Sequence, residues 1–198
     1  MRKISRKYAD PVDLIWLHAA AQMGMRIERS AEVNASWDGQ GVLTIGTPET
    51  LDPDDCLAQM ILHESCHSLC EGEQSLLMPD WGLESFNPDK KVREHACLRL
   101  QAMFADRYNM RSFYAATTVF RRYYDQLPAD PLGDGDDPAI AIAREAWDRA
   151  NSGPRAQPLD EALRRTALIA DALREITDVA SIWHLPVRLP DADLHRED

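Results

Sequence analysis

Positive charge is scarce in this chain. Its 198 residues carry 22 lysines and arginines against 33 aspartates and glutamates, a formal net charge of -11. That balance argues against a sequence-independent grip on nucleic acid or on an anionic membrane surface. No stretch approaches the roughly 18 uninterrupted apolar residues of a membrane span. The basic-then-apolar start superficially resembles a secretory leader, but Asp10, Pro11 and Asp13 interrupt the transition. His18 and Gln22 then break the apolar run, so an amphipathic first helix over about 11–25 is expected, in a cytoplasmic protein. Internal repeats are absent, as is a glycine-rich phosphate loop. The four cysteines, Cys56, Cys66, Cys70 and Cys97, contain no C-x-x-C pair and match neither standard ferredoxin spacing. Set inside expected helices, they read as buried thiols of a reducing compartment. Their clustering around two histidines leaves an iron-sulfur cluster or a mixed Cys/His site as the alternative.

What is present centres on residues 52–72, with His63-Glu64-Ser65-Cys66-His67 in the middle. Asp52 suits an N-cap, Pro53 the first helical position, Asp54 and Asp55 the positive end of the dipole, and Gly72 the last turn. Leu57, Met60, Ile61, Leu62 and Leu69 leave no wide polar face, so this helix should be buried. Histidines four apart project from one side of a helix and can grip one Zn²⁺, with Glu64 beside the open position as general base. The bland alternative is a pair of core histidines satisfied by hydrogen bonds. With 6 histidines in 198 residues, a chance H-E-x-x-H arises roughly once in a hundred such chains.

The flanking chain reads as follows. Residues 25–33 and 42–47 alternate in short apolar runs around a turn-rich 34–41, which predicts a β-hairpin, its second strand placed to pair with an extended substrate. Residues 73–88 form an ordered loop held by Leu76, Leu77, Met78, Trp81 and Phe86. Asn87-Pro88-Asp89 then opens a helix to about 109. A further helix is expected over 112–127, burying Phe113, Val119, Phe120 and Tyr124. Residues 129–138 are acidic and breaker-rich, a solvated linker in which Asp134, Asp136 and Asp137 lack a calcium loop's other ligands. Helices over 139–150 and 159–179 complete the chain. The division expected is 1–128 for the main domain, 129–138 for the linker and 139–198 for a helical extension, in an α+β, mostly helical class.

A catalytic zinc needs a third protein ligand. At 100° per residue, Glu94 shares the buried stripe with Cys97, Leu98, Gln101 and Ala105, while His95 shares its side with Arg99 and Asp106, toward solvent. Coordination would relieve the cost of a buried carboxylate; pairing with an arginine or with His67 would do so too, and Glu71 is a second candidate ligand.

In order, helix, hairpin, H-E-x-x-H helix, loop and Glu-bearing helix, residues 11–109 resemble the gluzincin zinc metallopeptidases, and in size the small ImmA/IrrE-like minigluzincins. His63, Glu64, His67 and Glu94 carry the resemblance. It implies a zincin-like domain in which His63, His67 and Glu94 bind zinc, Glu64 activates water, and a peptide or protein substrate is hydrolysed. The family's second helix often reads E-x-x-A, and here Cys97 stands where Ala is common. Tyr108, Tyr114 and His184 are candidates for steadying an oxyanion. Two other classes fit the same residues: a non-catalytic zinc or iron-sulfur protein using the cysteines, and a regulatory interaction protein on a zincin scaffold.

Overall fold

In the computed structural model, which describes residues 7–83, 90–115 and 117–189, the chain is α+β and mostly helical. Helix α1 (Pro11–Gln22) starts where the Asp10 carboxylate accepts from the Val12 and Asp13 amides, with Pro11 at the first position. It buries Val12, Trp16, Ala19 and Ala20. Three short strands follow, β1 (Arg26–Ser30), β2 (Ala35–Trp37) and β3 (Val42–Gly46), in the order β1-β3-β2. The expected hairpin between 25–33 and 42–47 is therefore corrected. Those two strands are parallel neighbours, from Arg26 opposite Val42 to Ser30 opposite Gly46, and the hairpin is β2–β3. The cause is a second reversal of the chain. The Asp38 carboxylate closes the β2–β3 turn on the Gln40 and Val42 amides, so β2 takes one flank of β3 and leaves the other to β1. With both flanks paired, β3 has no free edge for an extended substrate. Leu43 and Ile45 face the core.

Helix α2 (Leu57–Glu71) is buried along Leu57–Cys70 and ends at Gly72 in a left-handed conformation, φ 83°. It begins later than Asp52 suggests. Residues 52–55 form a turn closed from the Asp55 amide to the Asp52 carbonyl, and the Asp55 carboxylate is taken by the Thr117 amide at 2.9 Å. Cys56 becomes the N-cap, its amide donating to Gln59 Oε1. Short 3₁₀ turns at Glu73–Leu77 and Pro79–Gly82 lead toward α3 (Lys90–Asp106). The start signal at Asn87, Pro88 and Asp89 and the packing of Phe86 lie outside the described residues.

The helix expected over 112–127 shrinks to α4 (Arg121–Asp125). Its upstream carbonyls are captured instead by side chains: Gln59 of α2 donates to Phe113 O, Gln101 of α3 to Tyr114 O, and Arg121 of α4 itself to Ala115 O. Phe113 and Tyr124 are buried as expected, but Val119 is exposed. The run Thr117-Thr118-Val119 also disfavours helix through its β-branched side chains.

Helices α5 (Ala139–Ser152) and α6 (Ala156–Leu173) pack on the rest rather than beside it. Small residues of α5, Ala139, Ala143, Ala146 and Ala150, share one core cluster with α2 and α3, and α6 joins α1 through the Trp16 indole and the Thr166 hydroxyl at 3.0 Å. Arg149 of α5 donates to the Leu69 and Cys70 carbonyls, satisfying the end of α2. The segment before α5 is anchored at Leu132, which is buried, and at Asp137, which pairs with Arg99 at 3.0 Å and accepts from the Tyr123 hydroxyl. Among the described residues no helix is long and apolar enough to cross a membrane.

Candidate metal centre

Two helices build the site. Residues 63, 64 and 67 occupy one turn of α2, and 94, 97 and 101 recur at spacings of three and four on the facing side of α3. His63, Glu64 and His67 are 6 %, 8 % and 4 % exposed. His63 Nε2 and His67 Nε2 stand 3.2 Å apart, and Glu94 Oε2 lies 3.5 Å from His67 Nε2. Glu64 sits beside them, its Oε2 accepting from the Trp81 indole N–H at 2.7 Å.

The tautomer of His63 follows from its neighbours. Gln101 donates its amide N–H to the Tyr114 carbonyl, which can only accept, so the Gln101 oxygen faces His63 Nδ1, 2.8 Å away. Nδ1 therefore carries the proton and Nε2 presents its lone pair toward His67. The lone pair of His63 Nε2 and a Glu94 carboxylate oxygen thus both lie close to His67 Nε2, at 3.2 and 3.5 Å. Without an ion, a proton must serve there. Burial and the charge on His67 push the His63 pKa down. For His67, burial opposes the charged form but the Glu94 hydrogen bond and the charges of Glu94, Glu64 and Glu71 outweigh it and push the pKa up. For Glu94, burial raises and the His67 hydrogen bond and charge lower, to about 2.

The separations suit a cation as well as a proton. With metal–ligand bonds of about 2.0–2.1 Å, the edge of a tetrahedron is about 3.3–3.4 Å, and the two contacts of His67 Nε2, 3.2 Å to His63 and 3.5 Å to Glu94, bracket it. A buried cysteine stands close as well: the ligand atoms of His63, His67 and Cys97 lie within 4.8 Å of one another, a buried group that could hold a metal ion. Cys97 Sγ, however, approaches the protonated Nδ1 side of His63 at 3.6 Å and donates to the His63 carbonyl at 3.3 Å. Burial, then Cys66 and Cys70, push its thiol pKa well up. All four cysteines are free.

The remaining sequence candidates are engaged elsewhere. Glu71 pairs with Arg93 at 2.6 Å. His95 stacks on Tyr123, centroids 3.5 Å apart, away from the histidine pair as the helical projection requires. That side of α3 is not open solvent, though, because Arg99 is buried against Tyr123, Pro131 and Asp137. Tyr108 meets Asp160, the Tyr114 ring packs edge-on to Trp16, and His184 is exposed near the Thr177 carbonyl. Gln101 and Trp81 join the site without being among the candidates the sequence offers. A glutamine on an apolar stripe was the available signal for the first, since a buried amide demands partners; Trp81 offered none, because only its distant neighbours place it.

No known protein family, curated protein or solved structure matches the chain.

Proposed function

We propose that the chain is a zinc-dependent metallopeptidase of the gluzincin type, hydrolysing a peptide bond in a peptide or protein substrate. The observation that carries this reading is the approach of both His63 Nε2 and Glu94 Oε2 to His67 Nε2, at 3.2 and 3.5 Å, with Glu64 on the same turn as the two histidines. His63, His67 and Glu94 would hold the ion, and three protein ligands leave a fourth position free. Zinc, when bound, acidifies water and polarises a carbonyl. Glu64 takes the proton of the attacking water on a carboxylate oxygen and delivers it to the departing amine. Gln101 holds the His63 ring with Nε2 forward, and the surrounding apolar residues of α2 and α3 exclude bulk water.

A second reading is favoured by Cys97. Were its thiol to deprotonate and replace Glu94, the ion would be held by two imidazoles and a thiolate, a donor set equally suited to a non-catalytic metal site. Glu64→Gln read beside wild type separates the two: the peptidase reading expects hydrolysis by wild type that the variant loses with its zinc content unchanged, whereas the non-catalytic reading expects no hydrolysis by either. Zinc lost together with Glu64 would make that carboxylate a ligand and remove the general base.

A further inference from the structure

A peptidase must admit a peptide bond to its base, yet Glu64 is 8 % exposed. What covers it is a short segment that makes two contacts of the kind a substrate would need. Trp81 donates its indole N–H to Glu64 Oε2 at 2.7 Å and stacks on Trp37 at 4.5 Å, nearly parallel. Its neighbour Asp80 accepts from the Trp37 amide at 3.1 Å and from the Ser36 hydroxyl at 3.0 Å. The β2–β3 pairing joins residues 34, 36 and 38 of one strand to the other, so the Trp37 amide points off the free edge of β2. Consecutive residues of one loop thus occupy both the carboxylate of the base and an outward amide of the sheet's edge. Both stand in the left-handed region, Asp80 at φ 46° and Trp81 at φ 60°, a conformation unfavourable for these side chains. The loop also lies tight against the β2–β3 turn: Gly39 has φ 74°, and a Cβ there would meet the Leu77 carbonyl oxygen at 3.0 Å.

We propose that residues 76–83 form a self-inhibitory strap that, closed, holds Glu64 through Trp81 and the β2 edge through Asp80, and that it must lift before a peptide reaches the site. The strap is released locally, not by unfolding, because among the described residues no strand pairing holds it: its hydrogen bonds to β2 are those of the exposed Asp80 carboxylate and of the Leu76 carbonyl, which accepts from the Trp37 indole N–H at 3.1 Å. Opening frees the Glu64 carboxylate and the Trp37 amide together. This inference rests on the peptidase reading for the word inhibitory, but the opening itself does not.

The test is amide and indole hydrogen exchange by NMR on the purified wild type and on Asp80→Ala, read alongside peptide hydrolysis. The Trp37 amide and the Trp81 indole N–H should exchange through a local opening insensitive to low denaturant. Asp80→Ala should speed both by about fivefold to tenfold, the loss of about one net hydrogen bond, and raise kcat/KM by a similar factor. Trp81→Phe keeps the ring on Trp37 and removes only the indole donor, so it provides a second loosened variant should the first fold poorly. Faster exchange in the variants with no hydrolysis by any of the proteins would uphold the strap and sink the peptidase reading. Exchange tied to global unfolding in every protein, or faster exchange accompanied by a fall in hydrolysis, would overturn the strap even in an active peptidase.

Discussion

Replacing Gln101 by Leu tests how far the proposed metal centre depends on the core behind it. Gln101 is fully buried, its oxygen on His63 Nδ1 at 2.8 Å and its amide nitrogen on the Tyr114 carbonyl. Leucine fills nearly the same volume, so the cavity contribution is small. Two groups are stranded instead, an imidazole N–H and a backbone carbonyl, each costing about 1–3 kcal/mol when buried without a partner. Removing the amide's own desolvation offsets part of this, leaving an expected loss of about 2–4 kcal/mol from a total that for such a chain is about 5–15 kcal/mol. Urea unfolding with a chelator present reads it as a fall in midpoint of about 1–2 M at a slope of about 2 kcal/mol/M. With the ring of His63 no longer held, zinc affinity should fall about 10–100-fold in competition with a chromophoric chelator. Gln101→Glu keeps an acceptor on His63 but strands the Tyr114 carbonyl, so it should lose stability while retaining most of the affinity. A leucine variant within about 0.5 kcal/mol of wild type and with unchanged affinity would refute the role given to Gln101.

Other consequences are more local. Arg149→Leu removes the donors to the Leu69 and Cys70 carbonyls at the end of α2; the side chain is partly exposed, so about 1–2 kcal/mol should be lost in urea unfolding, with zinc content unchanged. Asp137 has its pKa lowered from 3.8, burial opposing but the Tyr123 hydroxyl, the Ala139 amide and Arg99 prevailing. Its stabilisation is therefore present above about pH 3.8 and lost as pH falls through the lower folded value, so Asp137→Asn should flatten the acid limb of a stability–pH curve measured without metal. An acid limb unchanged by that substitution would remove Asp137 from the account.

How much of this was legible depended on how local each signal was. The spacing of His63, Glu64 and His67 and the hydrophobic surround of α2 are properties of one helix, and Glu94 could be placed by projecting the next. Gly72 marked the end of α2 because a left-handed residue stops a helix wherever it stands. Helix α2 starts later than local signals predict because Asp52 is a good cap only in isolation, whereas the competing contact, Asp55 to the Thr117 amide, spans 62 residues. The same reason shortened the helix over 112–127: its carbonyls are taken by Gln59 and Gln101, side chains no local pattern connects to them. Arg99 looked solvated because the residues that bury it, Tyr123, Pro131 and Asp137, arrive from a segment that reads as a linker. The hairpin failed on topology rather than on strand placement: both expected strands exist, but the short β2 between them decides their relative direction.

The central claim is that Glu94, not Cys97, completes the ligand set of His63 and His67. X-ray absorption at the zinc edge of the loaded wild type decides it directly. The account predicts nitrogen and oxygen scatterers at about 2.0–2.1 Å with imidazole outer shells, the same spectrum in Cys97→Ala, and loss of the ion in Glu94→Ala. A sulfur shell at about 2.3 Å that disappears in Cys97→Ala would contradict it.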